Sequence, residues 1–559
     1  MTEPSEITKK VNDKELDESE LHKRMDADFD LWNLKKTVYD NHKTSINITS
    51  NDPITFSDDF QSKLSRAERQ IRIIMAETEG DDKREDIGKL ERLLVFAFEK
   101  ADERLRRMLL PPLRDSEIWY SLIRGWAVGK FLVYMDGKNV IFDFMAWDRR
   151  WVTCEVGSDG LLWVNNKTFR SADSIKDEYG SDIVKGNKNK DIAVNDHWKY
   201  LSPEEKENSV ECNGEFLKSP TKHKLKSIPV LIMPIATRPP ITTNEGDASS
   251  GYGESIYAAN RGMYPIRNEF ASVVASHAKL LAKQPMVNLY DEQGRELLET
   301  AYFSDAVLNL PKGHNELFPV PMKEISPTVT NMLNWLGNQV ESGSLPDISV
   351  GTPPPSGTLY NLIQEQSNKV FSPQLSLLDN FYADACYLIE EQLLTNKIKV
   401  DVKVEQKRKY YETQVKPVDL KRPHIIKVEF TATTPWSRLE TAQIADMVRK
   451  SGVPEGWIWE NIYKFPDPKG MQDLAAIELF RQSPKGAMLT AIEALLNTKD
   501  PKNAEEAASL IRDMYNMEMQ ENAQLQGMET TGMGSTPTGA IPLSETETPV
   551  GGISPPITA

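Results

Sequence analysis

The 559-residue sequence predicts an α+β fold. Three observations carry that prediction. Apolar residues recur at helical spacing from about residue 57 and again beyond residue 254. They alternate with polar residues over 139–169 and 397–433. The two patterns come in blocks, helices and then strands, rather than as a regular strand–helix alternation. Hydrophobic residues make up 39% of the chain and charged residues 27%, enough to build cores in a soluble protein of several units.

Residues 1 to about 55 are polar and acidic, and they predict a surface helix anchored by Leu21, Phe29, Leu31 and Leu34. A second helix is predicted from Ser57. Ser57 is its candidate cap, acids follow in the first turn, and Phe60, Leu64, Ile71 and Ile74 fall at helical spacing. A third helix covers 85–110 and stops at Pro111-Pro112. Residues 116–136 begin as helix and turn to strand near Gly129. Strands are then predicted over 139–156 and 161–169, separated by the turn "GSDG", and again in "HWKYL" and "SIPVLIMPIA". Residues 237–253, "TRPPITTNEGDASSGYG", read as a flexible domain boundary.

The next stretch, 264–284, places Ile266, Phe270, Val273, Val274, His277, Leu280 and Leu281 on one helical stripe. Arg267, Ser272, Ser276, Lys279 and Lys283 take the other face. Short strand-like pieces follow to about residue 320. A helix then starts with Ser326 as cap and Pro327 at its first position, with Val329, Met332, Leu333, Leu336 and Val340 as its stripe. After "GTPPPSGT" comes a long helical pattern with apolar positions from Leu359 to Ile389. Pro373, inside it, removes a backbone donor and predicts a kink. Residues 397–406 and 425–433 alternate and read as strands open to pairing with each other. From Trp436 the chain is helical, Ser437 and Glu440 forming a capping box. The Gly-, Pro-, Ser- and Thr-rich end of the chain predicts disorder.

Catalytic chemistry is hard to find. There is no GxxxxGK[ST] loop, HExxH or GxSxG. "GTPPPSGT" lacks a phosphate-binding lysine, and its prolines withhold the N–H groups a phosphate needs. The glycines of "SGYGESI" are a weak anion-site signal, better explained as a hinge before a helix. Asp196-His197 has no third partner, and Asp58-Asp59 and Asp81-Asp82 read as solvated acids. Cys154, Cys212 and Cys386 are too few and too far apart for a disulfide framework or a zinc site. No cofactor or metal is expected. The net charge of −16 argues against a tight, sequence-reading DNA binder. No apolar run is long enough to cross a bilayer, so no membrane partner is expected. The first ten residues lack the order of a signal peptide, so a cytoplasmic start is expected.

The order of these parts resembles the portal (head-to-tail connector) proteins of tailed bacteriophages. The likeness rests on "YGESIYAANR" (252–261), the stretch from Ser356 to Leu394, the pair "IRGWAVGKFLVYMDG" and "DFMAWDRRWVTCEVGSDGLLWV", and the helical block 479–514. It implies a ring-forming portal fold: a mixed wing over 1–250, a first stem helix over 251–283 and a small β-containing clip over 284–324. A second stem helix (325–344), a channel loop (345–357) and a kinked channel helix (358–395) follow. Wing strands (396–435), a helical crown (436–526) and a disordered tail (527–559) complete it.

The resemblance further implies a homo-oligomeric ring, usually a dodecamer, at the portal vertex of the virion, made in the host cytoplasm. Double-stranded DNA would pass through it during packaging and ejection. The terminase large subunit, a head–tail adaptor and the capsid or scaffolding protein would be its partners. No catalytic residue is implied, because ATP hydrolysis belongs to the terminase. The channel loop would be carried by Thr352, Pro353, Pro354, Pro355, Ser356 and Gly357, with Lys279, Lys283 and Lys312 as candidate DNA contacts. Between Glu254 and Thr358 seven Lys/Arg stand against eleven Asp/Glu, a net of −4 that lets DNA slide rather than stick. The alternative readings are a non-viral helical scaffold without a channel and, more remotely, a hydrolase with a dispersed site.

Overall fold

The computed structural model describes residues 3–40, 45–75, 83–180, 191–235, 252–282, 286–290, 307–311, 316–319, 324–342, 357–406, 409–421, 423–431, 435–463, 477–481, 483–497, 507–512 and 514–515. The fold is mixed α+β, in two compact units, 1–434 and 435–559.

The first unit opens with α1 (Pro4–Asp17) and α2 (Ser19–Trp32), two helices where the sequence predicts one. They are not merely superficial. Ile7, Val11, Leu21, Met25 and Asp28 are buried, because α1 lies on a sheet face beside Trp163 and α2 packs on α5. Then comes α3 (Asp52–Ser65), which starts five residues before the expected cap. Pro53 stands in its first turn, and Ser57, inside the helix, donates its hydroxyl to Ile54 O at 2.9 Å.

The expected continuation of that helix through Ile71 and Ile74 is wrong. Residues Glu68–Met75 form strand β1, with Ile71 and Ile73 buried. Isoleucines two apart suit a pleated surface. The long-range partner, absent from any local window, decides the matter.

α4 (Lys83–Arg107) and α5 (Leu113–Arg124) follow. Gly125, at φ +74°, ends α5, so the switch to strand comes four residues earlier than Gly129. β2 (Trp126–Asp136) pairs with β3 (Asn139–Ala146) on one side and β9 (Val230–Pro234) on the other. It is covered on both faces. Ala127, Phe131 and Val133 point into the main core, and Trp126 and Val128 into a second cluster with Trp147 and Trp198. This double burial explains the almost unbroken apolar run WAVGKFLV.

β4 (Val152–Gly157), β5 (Gly160–Arg170), β6 (Ile192–Ser202), β7 (Glu205–Cys212) and β8 (Glu215–Lys224) make a five-stranded antiparallel meander, with α6 (Ala172–Tyr179) between β5 and β6. The expected GSDG turn joins β4 to β5 through the pair Gly157 and Gly160. β7 and β8 have no counterpart in the sequence reading. All three cysteines are free and buried, and burial pushes each thiol up.

Near the end of the unit, β13 (Val400–Gln406) pairs with β14 (Lys409–Val415), and β15 (His424–Thr431) pairs with β1. The two alternating stretches therefore do not pair with each other as expected. Each finds a partner whose alternation the sequence hid.

The second unit contains α10 (Pro435–Lys450), α11 (Glu455–Asn461) and α12 (Pro484–Asn497). Because α10 begins at Pro435, Ser437 lies inside its first turn and is not the cap.

Candidate functional site: the helix pair and the long helix

α7 (Met263–Ala282) and α8 (Pro327–Ser342) pack on each other and are joined through a small sheet of β10 (Met286–Tyr290), β11 (Val307–Pro311) and β12 (Glu316–Pro319). In that sheet β10 is central, parallel to β11 and antiparallel to β12. Asn260, just before α7, donates to Val340 O near the end of α8 at 3.0 Å, so the two helices run antiparallel. At its start α8 matches its sequence signature. Pro327 is the first residue, and Ser326 accepts from Thr328 N at 3.3 Å through its hydroxyl and from Val329 N at 2.9 Å through its carbonyl.

The faces are used unexpectedly. The buried positions of α7 are Tyr264, Asn268 and Ser272, one stripe at i, i+4 and i+8. That stripe closes on the extended segment 45–50. Ile46 N donates to Ser276 Oγ at 2.9 Å, Ile48 N to Ser272 Oγ at 2.8 Å, and Ser50 N to Asn268 Oδ1 at 3.0 Å. Short polar side chains thus satisfy a strand-like backbone that has no sheet of its own. The predicted apolar stripe stays only half-covered, with Ile266 42% exposed. On α8, Leu336 and Val340 are buried, but Met332 is 36% and Trp335 47% exposed.

A buried ionic cluster holds the start of α7. Asp28, on α2, accepts from Arg261 Nε at 2.6 Å and Nη2 at 2.8 Å, and from Ser255 Oγ at 2.8 Å. Arg261 reaches Glu254 at 2.7 Å, and Glu254 also binds Arg24 at 3.1 Å. Burial pushes the Asp28 carboxyl up, against the pull of Arg261 and Ser255. On Arg261 burial is outweighed by the two carboxylates, which hold its guanidinium charged. Removing one partner from such a cluster would leave a buried charge uncompensated. Below the cluster, the backbone at Gly253 (φ +64°) lies directly on Gly125. A Cβ on Gly125 would sit 2.2 Å from Gly253 O, and one on Gly253 2.1 Å from the Trp126 indole nitrogen. The second glycine of "SGYGESI", Gly253, thus serves a close backbone approach, and its first, Gly251, lies outside the described residues.

α9 (Gly357–Thr395) is the longest helix among the described residues, with Pro373 half-buried inside it. From Leu377 onward it lies between two strand edges. β9 covers β2 only as far as Lys130, and Gln392 takes the backbone groups beyond, accepting from Val133 N at 2.9 Å and donating to Phe131 O at 2.7 Å. On its other side Tyr387 Oη accepts from Ile426 N and Asp379 from Phe430 N, each at 2.8 Å, while Glu390 meets His424 at 2.9 Å. Burial raises the Glu390 carboxyl, and His424 opposes it. Phe381 and Tyr382 continue an aromatic chain from Phe131 to Phe430 with ring centroids 5.4–5.8 Å apart.

Of the candidate site residues, Gly357 begins α9, and Lys279 lies half-buried near the end of α7. Thr352, Pro353, Pro354, Pro355, Ser356, Lys283 and Lys312 lie outside the described residues, as do Asp81 and Asp82. His197 is buried against Trp163, with its pKa lowered to about 4 by burial and by Lys10 and Lys199. Its neighbour Asp196 accepts from Asn208 at 2.7 Å. Among the described residues no group of three or more His, Cys, Asp or Glu side chains could hold a metal, and no helix is long and apolar enough to cross a membrane. Sequence reasoning missed the Asp28–Arg261–Glu254–Arg24 cluster and the buried role of Asn268, Ser272 and Ser276. The fourfold spacing of those three small polar residues was the available signal. No family model matches the chain, and no curated protein matches it.

Proposed function

We propose that the chain is the subunit of a portal ring at one vertex of a tailed-bacteriophage capsid. The observation that carries this reading is the sequential arrangement of an antiparallel helix pair around a small sheet, with apolar positions left open on both helices, and a 39-residue helix after it. Among the described residues Ile266, Met332 and Trp335 are only partly covered, 36–47% of each staying exposed. A ring closed by head-to-tail contacts between copies would supply further cover. Duplex DNA passes through the axis, and the net −4 between Glu254 and Thr358 disfavours tight binding there. The subunit itself performs no catalysis. The terminase large subunit supplies the ATP hydrolysis, and a head–tail adaptor later takes its place; the capsid or scaffolding protein surrounds the ring.

Electron microscopy of the purified protein tests the reading: rings with a central hole are expected, and single subunits at every concentration would overturn it. The loop is tested by replacing Pro353, Pro354 and Pro355 with glycine. Each replacement frees backbone that proline had fixed, at about 1 kcal/mol per residue. Rings should persist while the genome packaged per particle falls; loss of rings would assign the prolines to the subunit contact instead.

A further inference from the structure

In a chain of net charge −16, one cleft of about 660 Å³ gathers positive charge. Its cations are Lys100, Arg104, Arg107, Lys138 and Lys399, against two acids, Glu103 and Asp401, a balance of five minus two, or +3. They come from three elements: the last turns of α4, the β2–β3 hairpin and the start of β13.

A helix C-terminus accounts for part of this, because its exposed carbonyls favour cations. Glu103 also ties down Lys100 at 2.7 Å and Arg107 at 2.5 Å. Neither reason extends to Lys138 or Lys399. Both belong to other elements, both are exposed, and neither is paired with an acid among the described residues. Arg104 is held by Asp143, whose carboxylate also binds Lys130 at 2.8 Å. That acid therefore already serves two cations and does not cancel the rim. Two exposed, separately mounted ammonium groups with a fixed guanidinium beside them suit an extended chain of phosphates, which needs cations at intervals rather than one deep pocket.

We propose that this cleft binds the phosphate backbone of duplex DNA, seated on Lys138 and Lys399 with Arg104 beside them. Choosing a nucleic acid over an acidic peptide rests on the portal reading. The contact is independent of sequence and weakens with salt.

The test uses the full-length protein and a fluorescently labelled duplex of about 30 base pairs, titrated at about 50 and about 200 mM salt. Lys138→Gln with Lys399→Gln should weaken binding about tenfold at the lower salt and reduce the log–log salt slope by about 2. Glu103→Gln, which frees Lys100 and Arg107, should tighten it. Electron microscopy of the same samples separates the two ideas. Rings with duplex binding unchanged in the double variant would sink the cleft and spare the portal reading. Binding that depends on the two lysines without any rings would do the reverse. A wild-type protein that ignores the duplex, or one on which polyglutamate displaces it through these same lysines with equal or higher affinity, also overturns the proposal.

Discussion

Between Leu377 and Leu393, α9 buries Leu378, Phe381, Tyr382, Ala385, Cys386 and Ile389 completely against strands of its own chain. On α7 the buried stripe is Tyr264, Asn268 and Ser272, while the aliphatic positions around it remain half-covered. Both helices are amphipathic, and both are held by side chains that satisfy neighbouring backbone. The difference lies in which face the chain keeps for itself. α9 spends its apolar face internally, at about 1.5–3 kcal/mol for each large side chain removed from water. α7 turns its polar face inward and leaves the apolar one available. A region of the first kind is finished within the chain, and one of the second kind is where the proposed ring would place its contact.

The sharpest way to break that contrast is Phe381→Ala. Its ring packs on Phe131 and Tyr382, so its loss should cost about 3–5 kcal/mol in denaturant unfolding. A loss below about 1 kcal/mol would mean that this half of α9 is not a finished core.

Glu117 sharpens the same point. It is wholly buried, and neither carboxyl oxygen makes a hydrogen bond among the described residues. Burial raises the pKa well above the usual carboxylate range, outweighing the opposing pull of the Val128 backbone. An unfolded glutamic acid releases its proton above about pH 4.3 while the folded one keeps it, so stability falls as pH rises from there toward the folded pKa. Glu117→Gln should therefore match the wild type below about pH 4 and exceed it at neutral pH, read from melting temperature across pH.

Trp335→Ser tests the other region. As an exposed side chain it should change subunit unfolding by no more than about 0.5 kcal/mol. As an interface anchor it should weaken ring assembly by about 2 kcal/mol, near 30-fold, in concentration-dependent light scattering. Equal assembly in the variant would remove the meaning given to the open face. The smallest effect belongs to truncation after Gln526, expected to leave both unfolding and assembly unchanged by the same two measurements.

Much of the helical content was legible because it is local. Ser326 and Pro327 announce α8 within four residues, and Pro111-Pro112 closes the stretch after α4. What stayed hidden depends on distant partners. β1 reads as helix until β15, some 350 residues later, pairs with it in register from Glu68 to Met75. β7 escaped notice because its sheet buries polar groups: Glu211, wholly buried, accepts from Asn195 at 2.8 Å, and Asn195 from Asn165 at 3.0 Å. An alternation of polar with polar has no hydrophobic period to detect. At the candidate site the apolar stripe of α7 was visible, but its orientation was not. Orientation was set by segment 45–50, whose backbone needed Asn268, Ser272 and Ser276 more than the core needed Ile266.

The bond from Gln392 to β2 joins residues 259 positions apart. On a ribosome adding about 5–20 residues per second, Phe131 and Val133 emerge about 13–50 s before the helix that covers them. During that interval β2 presents an open strand edge beside exposed aromatics, the surface on which nascent chains aggregate. Newly made subunits should therefore depend on a chaperone until residue 395 has cleared the exit tunnel, and strong overproduction should yield insoluble chains before it yields assembled ones.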